Sequence, residues 1–181
     1  MSKRAILVTG GAGYIGSHTC KALARAGDLP VTLDNMVHGH RAAVRWGPLV
    51  DGDIRDRGLV ERTIREHRVA AVVHFAGHAY VGESMRDPGK YFGNNVAGSL
   101  ALLEAAQACG VDRIVFSSTC ATYGAPESLP IGDTHAQRPI NPYGESKLFI
   151  ERALHWYGAA HGLRSVALRY FNAAGADPDC E

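Results

Sequence analysis

The sequence lacks the cysteine and histidine patterns that mark disulfide-stabilised or metal-binding proteins. Its four cysteines include no Cys-x-x-Cys pair. We therefore expect free thiols in a reducing compartment and no metal site. The closely spaced histidines, His38 and His40, lack nearby cysteine or carboxylate support, so we interpret them as part of a solvated loop.

An excess of one charge and long apolar runs are also missing. The formal net charge of +1 gives no electrostatic basis for binding nucleic acid or an anionic membrane. No apolar run approaches the ~18 residues of a membrane-spanning helix, and the first residues do not form a signal peptide. We expect a cytoplasmic protein. With 181 residues, 46% of them hydrophobic, residues 1–181 should form one globular domain.

Short apolar segments alternate with helical segments along the chain. The predicted strands are residues 5–9, 31–33, 49–50, 70–75, 113–116 and 165–168, and the predicted helices are residues 17–26, 59–67, 91–109 and 143–161. Apolar strands separated by helices are typical of a parallel sheet buried on both faces. The pattern predicts an α/β fold, a Rossmann-type doubly wound sheet with strand order 3-2-1-4-5-6. Long loops at 35–47 and 124–141 would lie beyond strand ends, where ligands bind in such sheets.

A glycine-rich turn follows the first predicted strand and opens the first helix. Gly11, Gly13 and Gly16 satisfy the Gly-x-Gly-x-x-Gly pattern, and Gly10, Gly13 and Gly16 satisfy Gly-x-x-Gly-x-x-Gly, with Tyr14 and Ile15 between the last two glycines. Such glycines allow a tight turn and let the backbone approach a pyrophosphate, which the helix N-terminus then binds. The turn predicts dinucleotide binding.

An acidic residue ends the second predicted strand. Asp34 lies 18 positions after Gly16. A carboxylate at that place accepts hydrogen bonds from the adenosine ribose and repels a 2′-phosphate, which favours NAD over NADP. Arg41 and Arg45 in the following loop are within reach of a phosphate, so NADP stays open as an alternative.

Two further strand ends should border the cofactor. Asp53 and Ile54 follow the third strand, where they would meet the adenine edge. Phe75, Ala76 and Gly77 end the fourth strand beside the cofactor. For Phe75, an ordinary aromatic residue of the core is an equal alternative.

A phenol and an ammonium lie four residues apart at Tyr143 and Lys147. Asn141 can cap a helix that begins at Pro142, and this spacing puts both side chains on one helix face. A free phenol has a pKa of ~10, too high for a general base, and we expect the nearby cation to lower it. Tyr-x-x-x-Lys often occurs by chance. It gains weight here from the glycine turn and from the hydroxyl-rich strand end at 117–119.

Together these residues resemble the extended branch of the short-chain dehydrogenase/reductase superfamily, and most closely its UDP-glucose 4-epimerase family. The similarity extends over essentially all 181 residues. Its motifs are Gly10-Gly11-Ala12-Gly13-Tyr14-Ile15-Gly16-Ser17-His18, Leu33-Asp34-Asn35, Gly52-Asp53-Ile54-Arg55-Asp56, His74-Phe75-Ala76-Gly77, Val81-Gly82-Glu83-Ser84, Asn94-Asn95-Val96, Phe116-Ser117-Ser118-Thr119, Pro142-Tyr143-Gly144 and Leu168-Arg169-Tyr170-Phe171-Asn172-Ala173-Ala174-Gly175.

The resemblance implies roles for individual residues. Thr119 is the expected catalytic hydroxyl, Tyr143 the base and Lys147 its partner, which also holds the nicotinamide ribose. Thr119, Tyr143 and Asn172 would contact the substrate. The implied cofactor contacts, besides the glycine turn, are Asp34, Asn35, Asp53, Ile54, Phe75, Ala76, Gly77, Asn94, Ser117, Tyr143, Lys147 and Tyr170. Some family members carry a lysine shortly after the glycine that ends the fourth strand, where this chain has Ala79-Tyr80.

The implied activity is interconversion of UDP-glucose and UDP-galactose through transient, NAD-dependent oxidation at sugar C4. Helices 91–109 and 143–161 are candidates for a four-helix contact in a homodimer, and the sequence leaves the oligomeric state open. Family members continue past the Asn172 motif into a small substrate domain. We expect that domain to be largely missing here, so that the 181 residues alone have weak or no activity.

Two alternatives remain open. One is another UDP-sugar enzyme of the same branch, a dehydratase or a decarboxylase. Dehydratases typically follow the catalytic threonine with an acidic residue, whereas Cys120 and Ala121 follow Thr119 here. The other is a dinucleotide-binding unit without catalysis of its own.

Overall fold

A computed structural model of the chain describes residues 3–179 and shows the predicted six-stranded parallel sheet. The strand order is β3-β2-β1-β4-β5-β6, as the alternating pattern predicted. The strands are β1 (Ala5–Thr9), β2 (Leu29–Asp34), β3 (Leu49–Asp51), β4 (Val69–His74), β5 (Arg113–Ser117) and β6 (Arg164–Leu168). All residues of β1 are buried, because this central strand has neighbours on both sides and side chains packed on both faces.

Helices connect the strands and cover the sheet. They are α1 (Tyr14–Arg25), α2 (Arg57–His67), α3 (Val81–Ser84), α4 (Pro88–Tyr91), α5 (Gly98–Ala108) and α6 (Pro142–His161). The main core joins apolar residues of α2, α5 and α6 to one face of the sheet, whereas Cys20 and Leu23 of α1 pack on the other face. Within residues 3–179, no helix combines the length and apolar character that crossing a membrane requires.

The predicted long helix 91–109 is interrupted. Residues Phe92–Ala97 form a π-helical segment between α4 and α5. This wider turn places Asn95 in the interior, where its side chain accepts a hydrogen bond from the His78 backbone N–H (2.8 Å) and donates one to the His78 carbonyl (3.0 Å). Glycine and asparagine are weak helix formers, so two tertiary hydrogen bonds suffice to change the local winding.

Helix α6 begins and ends where the sequence predicted. Asn141 Oδ1 accepts a hydrogen bond from the Gly144 backbone N–H at 2.8 Å, and Pro142 occupies the first turn. The last helical residue is His161, and Gly162, with a φ of 72°, caps the C-terminus. These two ends fix the axial position of the helix and thereby place its first residues beside the carboxyl ends of the strands.

Candidate active site

A cleft opens at the carboxyl ends of β1, β2, β3 and β4. Its volume is about 650 Å³, including space open to solvent. Nine residues that the sequence predicted as cofactor contacts line it: Gly10, Gly13, Asp34, Asn35, Ile54, Phe75, Ala76, Gly77 and Asn94. The ends of four different strands, β1 to β4, therefore meet at one edge of the sheet, as the topology requires.

The glycine turn has no room for side chains. A Cβ atom on Gly10, whose φ is +71°, would lie 2.7 Å from the Ala76 backbone nitrogen. One on Gly16 would lie 2.2 Å from the Gly10 carbonyl oxygen. Gly13 is the N-cap residue of α1 and provides no side-chain cap. The N-terminus of α1 thus faces the turn as a positively polarised end, which suits a phosphate group.

Backbone N–H groups of the glycine turn and of the loop after β2 hold the Asp34 carboxylate. Its Oδ2 accepts a hydrogen bond from the Ala12 N–H (3.0 Å) and its Oδ1 one from the Met36 N–H (2.9 Å). The following loop folds back over the turn, where the His40 N–H donates to the Ala12 carbonyl (3.0 Å). Each carboxylate oxygen keeps a further acceptor position, so Asp34 can still bind a ribose hydroxyl.

Asp53 and Asn35 meet beside the cleft. Asn35 donates a hydrogen bond to Asp53 (3.2 Å), and Arg55 Nε donates to the same carboxylate (2.9 Å). The hydrogen bond from Arg55 lowers the pKa of Asp53 to about 2. Asp53 is therefore a fixed acceptor at neutral pH, while its neighbour Ile54 forms part of the cleft wall.

Lys147 lies where the cleft approaches α6. Its side chain is buried, and Nζ donates a hydrogen bond to the Ser117 carbonyl at 2.9 Å. It also lies 4.8 Å from the centroid of the Phe116 ring. A Cβ atom on Gly77, a cleft residue, would lie 3.5 Å from this ammonium. Gly77, in the segment after β4, and Lys147 of α6 are thus close neighbours.

The expected lowering of the Tyr143 pKa is wrong for this structure. Burial raises the pKa of the Tyr143 phenol, and a hydrogen bond with Thr119 opposes the rise only in part. Burial also lowers the pKa of Lys147 to about 8. Spacing alone did not reveal how far both groups are removed from water, and removal from water disfavours the charged form of each.

The buried ammonium should make folding stability depend on pH. The folded-state pKa of Lys147, about 8, lies below its ordinary value of 10.5, so the unfolded chain binds more protons between these values and stability rises with pH there. We expect the unfolding free energy of the wild type to rise relative to that of Lys147→Met between pH 7 and 10, by on the order of 2 kcal/mol. Urea titrations of both proteins measure this difference. A gap that stays constant or changes in the opposite direction would contradict it.

Thr119 lies beside the phenol at the end of β5. It caps a short 3₁₀ turn, Cys120–Thr122, where its Oγ1 accepts a hydrogen bond from the Ala121 N–H at 3.1 Å. The Tyr143 hydroxyl is its hydrogen-bonding neighbour. The ends of β5 and β6 are also joined, since the Ser117 and Tyr170 hydroxyl groups share a hydrogen bond. Five predicted site residues, Ser117, Thr119, Tyr143, Lys147 and Tyr170, therefore lie together.

Other predicted residues lie farther out or have structural contacts. The exposed Tyr14 side chain donates its hydroxyl to the Gly175 carbonyl at 2.7 Å, which ties the segment after β6 to α1. Asn172 is an exposed residue of the same segment. Ile15 is half-buried in the first turn of α1.

Sequence reasoning missed several residues of the site. Val37, His38, Gly39, Gly52 and His78 also line the cleft. Each belongs to a segment that follows a predicted strand, and this position was the available signal. The Tyr91 ring lies 6.3 Å from the Tyr143 ring, centroid to centroid, in an edge-on arrangement that no sequence pattern indicated.

Comparison with known proteins agrees with this architecture. Residues 6–180 match the NAD dependent epimerase/dehydratase family. The chain belongs to this family. The predicted resemblance is confirmed by a UDP-glucose 4-epimerase of Rhizobium leguminosarum bv. trifolii, which is 56% identical over 177 residues, 98% of this chain and 54% of that protein. The UDP-glucose 4-epimerase of Azospirillum brasilense is 57% identical over 174 residues, 96% of this chain and 50% of that protein.

Solved structures show the same similarity. The UDP-glucose 4-epimerase of Brucella ovis, in complex with NAD, superposes with a TM-score of 0.96 at 55% identity and covers 97% of this chain. The enzyme of Bifidobacterium longum, in complex with NAD⁺ and UDP, gives 0.92 at 37% identity, again over 97% of this chain. The chain covers 54% and 55% of these two structures. It therefore spans about half the length of the relatives that it matches.

Proposed function

We propose that the chain forms a single dinucleotide-binding domain and that its cleft holds NAD. Gly10, Gly13 and Gly16 leave the space that a pyrophosphate needs, and the α1 N-terminus supplies a favourable dipole. Asp34 would bind the adenosine ribose and repel a 2′-phosphate. The ends of β3 and β4 would enclose the adenine side and the nicotinamide side respectively. Structures of relatives in complex with NAD support this proposal.

We further propose that the protein interconverts UDP-glucose and UDP-galactose at C4 of the sugar. The observation that carries this proposal is the grouping of Tyr143, Thr119 and Lys147 at the β4–α6 side of the glycine-lined cleft. When bound, NAD would supply reversible removal of the C4 hydrogen together with its electron pair. The family membership and the names of the relatives support the same reaction.

The protein residues would manage one proton and the orientation of the sugar. The Tyr143 oxygen would take the proton of the 4-hydroxyl as the carbonyl forms and return it to the same oxygen when the carbonyl is reduced. Thr119, which is hydrogen-bonded to Tyr143, would hold the sugar 4-hydroxyl beside the Tyr143 oxygen. Because burial raises the pKa of Tyr143, the phenolate needs a positive charge nearby, and the Lys147 ammonium is the protein's own source of that charge. Asn172 would contact the nucleotide sugar.

One other function, dinucleotide binding without catalysis, has specific support. The chain spans about half the length of its relatives, so on its own it would bind the dinucleotide but contribute little binding energy to orient a sugar. The dehydratase alternative is disfavoured, because Cys120 occupies the first position of the 3₁₀ turn where such enzymes carry an acid.

Two measurements on one sample test the proposal. Titration with NADH, followed by nicotinamide fluorescence, should show saturable binding. Incubation with NAD⁺ and UDP-galactose, followed by chromatography of the products, should show UDP-glucose. Binding without conversion would support the binding unit, and a dehydrated or decarboxylated product would support the related enzymes. Absence of NADH binding would contradict the whole proposal.

We also propose that the chain pairs through α5 and α6 in a homodimer. Phe149 and Trp156 lie two turns apart on α6 and are 50% and 68% exposed, which is unusual for large apolar side chains on one helix face. Sedimentation velocity should show a dimer for the wild type and a monomer for Phe149→Glu/Trp156→Glu. Leu129→Glu, an equally apolar but isolated exposed site, should remain dimeric. A monomeric wild type would contradict this assembly.

A cytoplasmic location is proposed on the basis of cysteine chemistry. Cys20, Cys109 and Cys120 are free thiols among the described residues, and Cys180 lies outside them. Free thiols are typical of a reducing compartment. Recovery of the protein from an oxidising compartment after cell fractionation would contradict this location.

A further inference from the structure

A buried carboxylate continues the helix face that bears the proposed base. Glu151 follows Tyr143 and Lys147 by eight and four residues on α6, so the three side chains lie on successive turns of one face. Its carboxyl group accepts hydrogen bonds from Ser118 Oγ, from Gln137 Nε2 (3.0 Å) and from Arg169 Nη2 (2.6 Å). One carboxylate therefore joins α6 to the end of β5, to loop 124–141 and to the end of β6.

Arg169 extends the same cluster. Its Nη1 donates hydrogen bonds to the Tyr123 hydroxyl (3.1 Å) and to the Asp133 carbonyl (3.3 Å), and its Nη2 donates to Gln137 Oε1 (3.3 Å). The guanidinium group lies 5.4 Å from the centroid of the Tyr123 ring. Through these contacts Arg169 holds in place both the end of the 3₁₀ turn that follows Thr119 and loop 124–141.

The pair is removed from water. The side chains of Glu151 and Arg169 are 8% and 24% exposed. Burial alone would raise the pKa of the Glu151 carboxyl, but hydrogen bonds from Arg169, Ser118 and Gln137 outweigh it and lower the pKa. A buried pair with this many partners is costly to break on one side only, and it fixes the orientation of the groups it joins.

We propose that Glu151 and Arg169 are positioning residues that set the Thr119 hydroxyl against Tyr143 and hold loop 124–141 against the strand ends. Ser118 directly precedes Thr119, and Arg169 directly precedes Tyr170. The hydrogen bonds of Glu151 to Ser118 and to Arg169 therefore fix the residue before each of these two site residues. This inference deepens the proposed function, because it rests on the proposed role of Tyr143 as the base.

The test separates positioning from stability by replacing the whole pair. Glu151→Met/Arg169→Met fills the same volume with apolar groups, an exchange that often preserves stability. Glu151→Gln is a second variant that keeps the shape of the side chain. Arg57→Met/Glu104→Met removes a half-exposed ion pair between α2 and α5 and serves as the matched control.

The main readout is the pKa of Tyr143, taken from the ¹³Cζ shift of tyrosine-labelled protein and assigned with Tyr143→Phe. Loss of the Thr119 hydrogen bond should raise this pKa further, so Thr119→Val calibrates the effect. We expect the double methionine variant to show a rise similar to that of Thr119→Val, and Glu151→Gln a smaller rise. Backbone amide exchange in residues 117–123 should also become at least about ten-fold faster, since that segment loses its fixed partner.

Neither readout needs turnover, so the outcome is separable from the proposed function. An unchanged Tyr143 pKa and unchanged local exchange in a folded double variant would overturn the positioning role, even if the wild type converts UDP-galactose. A raised pKa would support the positioning role even in a chain without turnover. If the double variant does not fold, Glu151→Gln decides by the same two criteria.

Discussion

Replacing Tyr143 by phenylalanine is expected to lower C4 turnover by about 10²–10⁴-fold, the usual contribution of a well-placed general base. The phenylalanine ring keeps the edge-on packing against Tyr91, whose ring centroid lies 6.3 Å away, and removes only the oxygen. Thr119 then loses its hydrogen-bonding neighbour but keeps its contact with the Ala121 N–H. NADH binding should therefore stay within about two-fold, since no packing is lost.

The rate of UDP-galactose conversion and the NADH dissociation constant, measured on the same preparations, check this prediction. Tyr157→Phe is the matched control, because Tyr157 is a half-buried tyrosine on the same helix but distant from Thr119. It should leave both quantities unchanged. If the wild type converts UDP-galactose, equal turnover in Tyr143→Phe would eliminate Tyr143 as the base.

Replacing Gly16 by alanine should weaken NADH binding by at least about 100-fold, or about 2.7 kcal/mol. The new Cβ atom would lie 2.2 Å from the Gly10 carbonyl oxygen, which belongs to rigid backbone and has to move. That movement displaces the turn from the α1 N-terminus, so the N–H groups lose their alignment with a bound phosphate. Hydrogen bonds to a charged group contribute about 1.5–3 kcal/mol each, so one or two such losses account for the effect.

Fluorescence titration with NADH measures the loss, and thermal unfolding shows whether the variant still folds. Gly82→Ala is the control, since a Cβ atom there meets nothing within 4 Å among the described residues. It should bind NADH as the wild type does. Wild-type affinity in a folded Gly16→Ala variant would show that the dinucleotide does not bind at this turn.

Much of the fold was predictable because its signals are local. Apolar runs bounded by glycine and aspartate located all six strands to within two residues at each end, and the handedness of parallel connections fixed their order. The start of α6 followed from Asn141 and Pro142, whose roles at a helix start need only neighbouring backbone groups. The start of α1 was placed three residues late, at Ser17, because the glycine turn was assumed to end after Gly16.

Features set by tertiary contacts were not predictable. The π-helical segment Phe92–Ala97 exists because Asn95 bonds the backbone of His78, a residue 17 positions away. The pKa of Tyr143 depends on burial, which residue spacing does not report. No sequence pattern paired Glu151 with Arg169, and only the folded chain brings them together. In each case a long-range contact outweighed the local pattern.

The most direct test of the account follows the hydrogen atom at C4. The NAD-loaded protein is incubated with UDP-galactose deuterated at C4, and the UDP-glucose formed is analysed by mass spectrometry and NMR. We predict that the deuterium remains at C4 of the product, because the hydrogen removed there returns to the same carbon while Tyr143 exchanges only the hydroxyl proton. Loss of the label to solvent from the UDP-glucose that forms would contradict the central claim.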